Sequence, residues 1–239
     1  TVFDAGKHGK HNYMSMEYIP GKELKQIKDS ISRKEALRII KDVARALDFA
    51  GSKGVVHRDV KPENIMITEH GVVKIIDFGS VKIAGIQEIS TPVERLELLG
   101  TKNYTAPEYL LGMEGSNRSD IYSLGVLVYQ MLSGSLPYGN KMSRNLNWRT
   151  LNKIKYISSI KHNPMIPLWM DSALKKAVAK DSRARYDTFS EFLHDLTHPN
   201  TSFDNRVSPL LESNPVLFWK STAIIMMILN IIFIYFLVT

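Results

Sequence analysis

Apolar residues at helical spacing mark one long ordered stretch. Ala36, Ile39, Ile40, Val43, Ala46, Leu47 and Ala50 fall on one face of a helix that closes at Gly51 or Gly54. Ser32-Arg33-Lys34-Glu35 ahead of it has capping-box spacing, in which hydroxyl and carboxylate each satisfy an unpaired backbone donor. Upstream, residues 2–5 and 12–17 flank a Lys-His-Gly turn region, as two short antiparallel strands do. Strand-like pieces at 65–67 and 72–76, separated by Thr-Glu-His-Gly, predict a hairpin. The pattern then turns helical over 121–132, 172–178 and 188–196, the last opened by a second capping box from Thr188 to Glu191. A few strands feeding a helical majority is an α+β arrangement.

The end of the chain follows another rule. Residues 221–239 are 19 in a row without a charge, most of them Ile, Leu, Met, Phe or Val. Such a run suffices to span about 30 Å of hydrocarbon as a helix. Phe218, Trp219 and Lys220 just before it have the character of an interfacial anchor, and Tyr235 suits the other face. Asn230 inside the run either bonds a partner helix or is satisfied by its own backbone. The expectation is a transmembrane tail anchor at 218–239, behind a linker at 199–217 rich in Asn, Ser, Pro and Thr.

Composition narrows the chemistry. With 44% apolar and 23% charged residues the chain is no disordered polymer. The absence of cysteine excludes disulfide frameworks, thiolate metal sites and cysteine nucleophiles. The net charge of +7 is uneven: no acidic residue lies between Asp120 and Asp171, where Lys141, Arg144, Arg149, Lys153, Lys155 and Lys161 fall. These six leave +1 for everything else. A zone of this kind is either a solvated face or a contact for an anionic partner, and with Lys220 it favours a cytoplasmic folded part.

Three short motifs carry chemistry. His57-Arg58-Asp59-Val60-Lys61-Pro62-Glu63-Asn64 lies between the long helix and the first hairpin strand. Asp77-Phe78-Gly79 follows the second strand, and 101–108 read Thr-Lys-Asn-Tyr-Thr-Ala-Pro-Glu. Phosphoryl transfer from ATP needs a divalent metal to neutralise developing charge and a carboxylate to orient the attacking hydroxyl. Magnesium accepts a carboxylate and an amide oxygen as its few protein contacts. A hairpin over 65–76 puts Asn64 and Asp77 at its mouth, where both side chains can reach one metal cluster. Asp59, five residues before Asn64 on a loop, can face the same space, and Lys61 can lean over the transferred group as a point charge.

In order and context these motifs resemble the eukaryotic-like protein kinases, and Lys61-Pro62-Glu63 is the serine/threonine form of the catalytic loop. The resemblance implies a protein-kinase-like fold over 1–198, with a hinge near 17–21 and a mostly helical large lobe at 22–198. Under it Asp59 and Lys61 are catalytic, Asn64 and Asp77 hold Mg2+ (or Mn2+ in its place), and ATP is the cosubstrate. Backbone groups of Glu17 and Ile19 bond adenine above Met66, and Thr101 bonds the catalytic loop. Glu108 and Arg185 form a buried ion pair, Asp120 braces the catalytic-loop backbone, and Phe78 and His57 belong to a packed column. Arg58 beside Asp59 implies ordering of an activation loop by phosphate, with Ser90 or Thr91 as the hydroxyls. Ser182 replaces the family's usual Pro.

Residues 166–174, 189–200 and 214–219 extend the resemblance to bacterial bifunctional serine/threonine kinase/phosphatases. That implies a phosphatase domain in the same parent chain, protein substrates bearing Ser or Thr, membrane lipid as a partner at the bacterial inner membrane, and no nucleic acid. No Gly-rich loop and no β-strand lysine precede the hinge, and Thr1 opens the chain. The expectation is therefore the C-terminal piece of a longer kinase, poorly active by itself. Two other readings stay open: a membrane-anchored pseudokinase or nucleotide-binding scaffold, and a basic membrane-docking module resting on residues 141–161.

Overall fold

A positive φ of 61° at Gly9 turns the chain between β1 (Val2–His8) and β2 (His11–Met16). The two pair antiparallel from His8↔His11 to Val2↔Met16, with an irregularity between Val2 and Asp4. Both strands reach closer to the turn than the apolar pattern indicates, because the backbone ladder continues through Lys7↔Asn12 whatever the side chains. The computed structural model describes residues 2–77, 82–83, 103–143, 147–200, 203 and 215–238. Most of the expected linker, 201–202 and 204–214, falls outside them, as does Arg144.

Two further small sheets follow. β3 (Gly21–Glu23) pairs antiparallel with β5 (Ile65–Thr68), which pairs antiparallel with β6 (Val73–Ile75). β4 (Val55–Val56) pairs with β7 (Lys82–Ile83). The hairpin expected at 65–76 is thus present, tightened by a Thr68 N–H donating to the Val72 carbonyl at 2.9 Å. Gly21 is required where β3 meets β5: a Cβ there would lie 2.2 Å from the Ile67 carbonyl oxygen.

The helices are α1 (Leu24–Ile27), α2 (Arg33–Ser52), α3 (Pro107–Leu110), α4 (Asn117–Ser133), α5 (Trp148–Lys153), α6 (Leu168–Ala177) and α7 (Phe189–Thr197). α2 packs on α4 and α7, and α6 packs on the same two. Buried Ile39, Ile40, Val43 and Leu47 supply α2's share of the core, each worth about 1.5–3 kcal/mol of burial. One expected core residue is corrected. Ala46 is exposed and Ala44 is buried, because the buried stripe follows the i, i+4 step from Ile40.

Helix starts also differ from the pattern. α4 and α6 each begin four residues before the expected run: the first turn of α4 is polar and carries no core signal, whereas α6 opens on Leu168-Trp169-Met170 directly after Pro167 at its N-cap. Ser32 caps α2 by accepting from the Glu35 N–H at 3.2 Å, but the Glu35 carboxylate turns to Arg38 at 2.7 Å instead of closing the box. Complete reciprocal boxes occur at Ser116/Ser119 and Asn147/Thr150, where a hydroxyl does the returning. α4 ends at Gly134 in the left-handed conformation (φ 69°).

Asn200–Thr239 form a separate unit containing α8 (Pro215–Val238), a helix of 24 residues. Within it the Asn230 amide donates to the Met226 carbonyl at 2.9 Å, so its own backbone satisfies it. Side chains of α8 are described for 219–230 and 233. Among the described residues no helix is long and apolar enough to cross a membrane.

Candidate active site

Gly54, with φ 72°, ends the turn after α2 and delivers the chain through β4 into the loop 57–61. That loop is held by a residue more than sixty positions away. The His57 and Arg58 N–H groups donate to the two carboxylate oxygens of Asp120, at 2.7 and 2.8 Å. Asp120 is in the first turn of α4 and buried. Burial pushes its carboxyl up to about 7, against the pull of the two backbone donors and Arg58. Arg58 sits at φ 72°, a left-handed conformation that costs a side-chain-bearing residue about 1–2 kcal/mol. The paired acceptor on Asp120 offsets that cost. Replacing Asp120 with Asn turns one acceptor into a donor and leaves a loop N–H unmatched. A loss of about 1–3 kcal/mol of stability is expected, together with slower turnover. Thermal melting and initial rates check this; a variant matching the parent in both would show that the loop keeps its shape with one acceptor.

His57 is fully buried and ties two parts of the site together. Its Nδ1 accepts from the Asp59 N–H at 3.3 Å, and its Nε2 lies 3.2 Å from the Ile76 carbonyl. These partners assign the neutral tautomer with hydrogen on Nε2. Burial lowers the imidazole's pKa, which agrees with a neutral ring. The same ring thereby positions Asp59 and the residue preceding Asp77.

Asp59, Lys61 and Asn64 converge. The Lys61 ammonium lies 2.7 Å from Asp59 Oδ2. The Asn64 amide donates to Asp59 Oδ2 at 2.9 Å and to the Asp59 carbonyl at 2.8 Å. Lys61 and Asn64 are buried, whereas the Asp59 side chain keeps 20% exposure. A single 3-10 turn, Pro62–Asn64, produces this arrangement, with the Asn64 N–H returning to the Lys61 carbonyl at 3.0 Å. Asp77 reaches the same end of the hairpin through the backbone: Ile65 pairs with Ile75, and the Ile76 N–H donates to the Asn64 carbonyl at 2.9 Å. Asp77 is exposed and, with φ 61°, shares with Arg58 a positive φ found at no other non-glycine residue among those described.

The donor chemistry suits magnesium. With its nitrogen turned to Asp59, Asn64 keeps a hard amide oxygen for a metal, and the backbone bond from Ile76 to Asn64 brings Asp77 to the same end of the hairpin. Among the described residues no three His, Asp or Glu side chains form a metal-holding group. A site of one carboxylate and one amide oxygen does not require such a group.

The expected hinge residues lie next to the same hairpin. Residues 17–20 follow β2 without regular secondary structure. The Glu17 carboxylate pairs with Lys74 at 2.8 Å, and that ammonium holds its carboxyl below the usual carboxylate range. Lys74 is the cross-strand partner of Met66, which also faces Glu23 of β3. Ile19 and Met66 are half-buried. A cleft of about 370 Å³ lined by Gly51, Gly54, Gly115, Ser116 and Asp187 contains none of the expected site residues.

Below the site, Arg185 meets Glu108 through two bonds of 2.7 Å, both residues being buried. Ser119 donates to Glu108 Oε1 at 2.6 Å, and the guanidinium lies 4.8 Å from the Tyr122 ring centre. Burial pushes the Glu108 carboxyl up, but the hydrogen bonds and charge of Arg185 overcome it and leave the group below its ordinary value. Ser119 and Tyr122 escape sequence reasoning because a helical Ser and a core Tyr carry no local mark of a role. Asp171 is another missed organiser: its carboxylate accepts from Ser159 N–H and Oγ, Ser158 Oγ and Tyr156 Oη at 2.6–2.9 Å. Ser182, in place of proline, opens a 3-10 turn before Arg185. Phe78, Gly79, Ser90, Thr91 and Thr101 lie outside the described residues.

The protein kinase domain family matches residues 1–208. Among curated proteins, the probable serine/threonine-protein kinase CPE1738 of Clostridium perfringens is 37% identical over 199 residues, covering 82% of this chain and 28% of that protein. Serine/threonine-protein kinase PrkC of Bacillus subtilis is 31% identical over 207 residues, 85% of this chain and 31% of its own length. For PknB of Mycobacterium tuberculosis the identity is 32% over 203 residues, 82% and 32% respectively. The chain spans about three tenths of the length of these relatives.

Proposed function

The chain belongs to the protein kinase family, and from that premise we propose that it transfers the γ-phosphoryl group of ATP to Ser and Thr hydroxyls of proteins. The observation that carries this reading is the cluster of Asp59, Lys61 and Asn64 on a loop pinned by Asp120. Asp59, partly exposed, orients the incoming hydroxyl and accepts its proton at Oδ1 or Oδ2. Lys61 holds that carboxylate and presents positive charge to the transferred group. Asn64 and Asp77 are the residues that would hold Mg2+, which when bound with ATP neutralises charge on the phosphates. Backbone groups of Glu17 and Ile19 take the adenine edge, and Met66 packs against its face. The domain reading stays as 1–198 for the kinase part, with the hinge near 17–21, then 199–217 and 218–239.

The tail is proposed to tether this kinase to a membrane, with the folded part on the cytoplasmic side. The support is the uncharged run 221–239, whose side chains at 231, 232 and 234–239 lie outside those described, together with an Asn230 amide satisfied internally. A companion phosphatase domain in the same polypeptide rests on the resemblance of 166–174, 189–200 and 214–219 alone. The test is incubation of the full-length gene product, reconstituted in vesicles, with γ-labelled ATP, magnesium and a mixture of protein substrates. Label recovered as phosphoserine and phosphothreonine is expected. Nucleotide binding with no label transferred would replace this reading with the scaffold.

A further inference from the structure

One strongly charged surface has no part in the proposed chemistry. α5 opens on Trp148, which is 52% exposed, and carries exposed Arg149 and Lys153, with exposed Lys155 just beyond. Lys141 is exposed on the preceding 3-10 turn, Gly139–Ser143. A shared underside makes these one patch. Met142, Leu151 and Ile154 are buried in a single apolar cluster with Tyr138, so their cationic neighbours project from one small platform. The Ile157 N–H donates to the Pro137 carbonyl at 2.8 Å and closes that platform. Lys180 spans the end of α5, its ammonium 2.8–3.2 Å from the Leu151, Asn152 and Ile154 carbonyls.

Among the described residues no acid pairs with these cations. Residues 121–170 contain no acid. The buried Asp171 carboxylate is taken by four donors, and Asp181 is paired with Arg183. Four cations around an exposed tryptophan complement a surface that is anionic at the headgroups and apolar just beneath. An acidic peptide would satisfy the charges but gives no reason for the ring.

We propose that the exposed face of α5 with Lys141 and Lys155 is a second membrane contact, which seats on anionic phospholipid headgroups with Trp148 at the interface. This rests on the membrane tether proposed above, and it orients the kinase on the surface to which the tail holds it.

The test uses the full-length gene product in which every tryptophan other than Trp148 (Trp169 and Trp219 included) is replaced by Phe. It is mixed with phosphatidylcholine vesicles, or with vesicles also containing phosphatidylglycerol, each carrying a bromolipid quencher. Flotation reports the tail, and Trp148 quenching reports the patch. With phosphatidylglycerol, Trp148 should shift to the blue and be quenched. Gln at 141, 149, 153 and 155 should lower the apparent affinity for that state at least about tenfold, with melting temperature unchanged. High salt should act the same way. A chain that floats with both vesicles while Trp148 stays unquenched overturns the patch and leaves the tail standing. Failure to float with neutral vesicles, alongside flotation with anionic ones that the Gln variant abolishes, overturns the tail and keeps the patch as the membrane contact.

Discussion

Replacing Asp59 with Asn in the full-length gene product is expected to cut phosphoryl transfer by about 10²–10⁴-fold and to leave ATP affinity within a few-fold of the parent. The two outcomes separate because the residue has two connections. Asn keeps an oxygen that can accept from the Lys61 ammonium and the Asn64 amide, now at 2.7 and 2.9 Å, so the loop retains its shape. What Asn lacks is the charge and basicity that orient a hydroxyl and take its proton. Nothing in the nucleotide contacts proposed for Glu17, Ile19 and Met66 depends on that charge. Initial rates with γ-labelled ATP and a nucleotide titration on the same preparation check both halves. Transfer persisting at the parental rate would remove Asp59 from the chemistry. Loss of nucleotide binding along with activity would show a collapsed loop instead, which a melting curve can establish directly.

The largest stability effect is expected at Arg185. Its guanidinium satisfies both Glu108 oxygens and donates to the Ala179 and Arg118 carbonyls at 2.7 and 2.9 Å. Arg185→Ala strands a buried carboxylate with Ser119 as its one remaining side-chain donor among the described residues, and breaking a buried pair in this way costs about 3–5 kcal/mol. For a unit of this size that corresponds to a melting temperature lower by roughly 6–20 °C. The pH dependence has a definite sign. Glu108 is held below its ordinary value in the folded protein, so its contribution is fully present above about pH 4.3 and is lost as pH falls through the lowered folded value. The parent should lose stability along this acid limb, and Arg185→Ala should lack that part of the slope. Asp120, raised to about 7 by burial, acts oppositely: its contribution declines as pH rises from about 4 toward 7. Denaturant melts at pH 3, 5 and 7 separate the two. Equal acid slopes for parent and variant would show that the pair does not couple to folding.

Much of this protein can be read without coordinates. The 3.6-residue stripe in α2, the cap at Ser32 and the hairpin at 65–76 are all encoded by neighbours within a few positions. So is the order of the motifs at 57–64, 77–79 and 101–108, which already points to phosphoryl transfer. Short-range rules reach this far because backbone hydrogen bonding repeats at short intervals and forces apolar residues into matching intervals.

Packing decided the rest. Asp59, Lys61 and Asn64 fall within six consecutive positions, yet their convergence depends on a 3-10 turn and on Asp120, which comes from α4. The neutral His57 tautomer follows from a carbonyl nineteen residues away. Ser119 and Tyr122 matter only because α4 passes under Arg185, and Ala44 rather than Ala46 is buried because α2 meets its neighbours at one particular rotation. Local propensity cannot specify such contacts. They join segments whose separation along the chain is unrelated to their separation in space, and their energy appears only once desolvation has made each unpaired polar group costly.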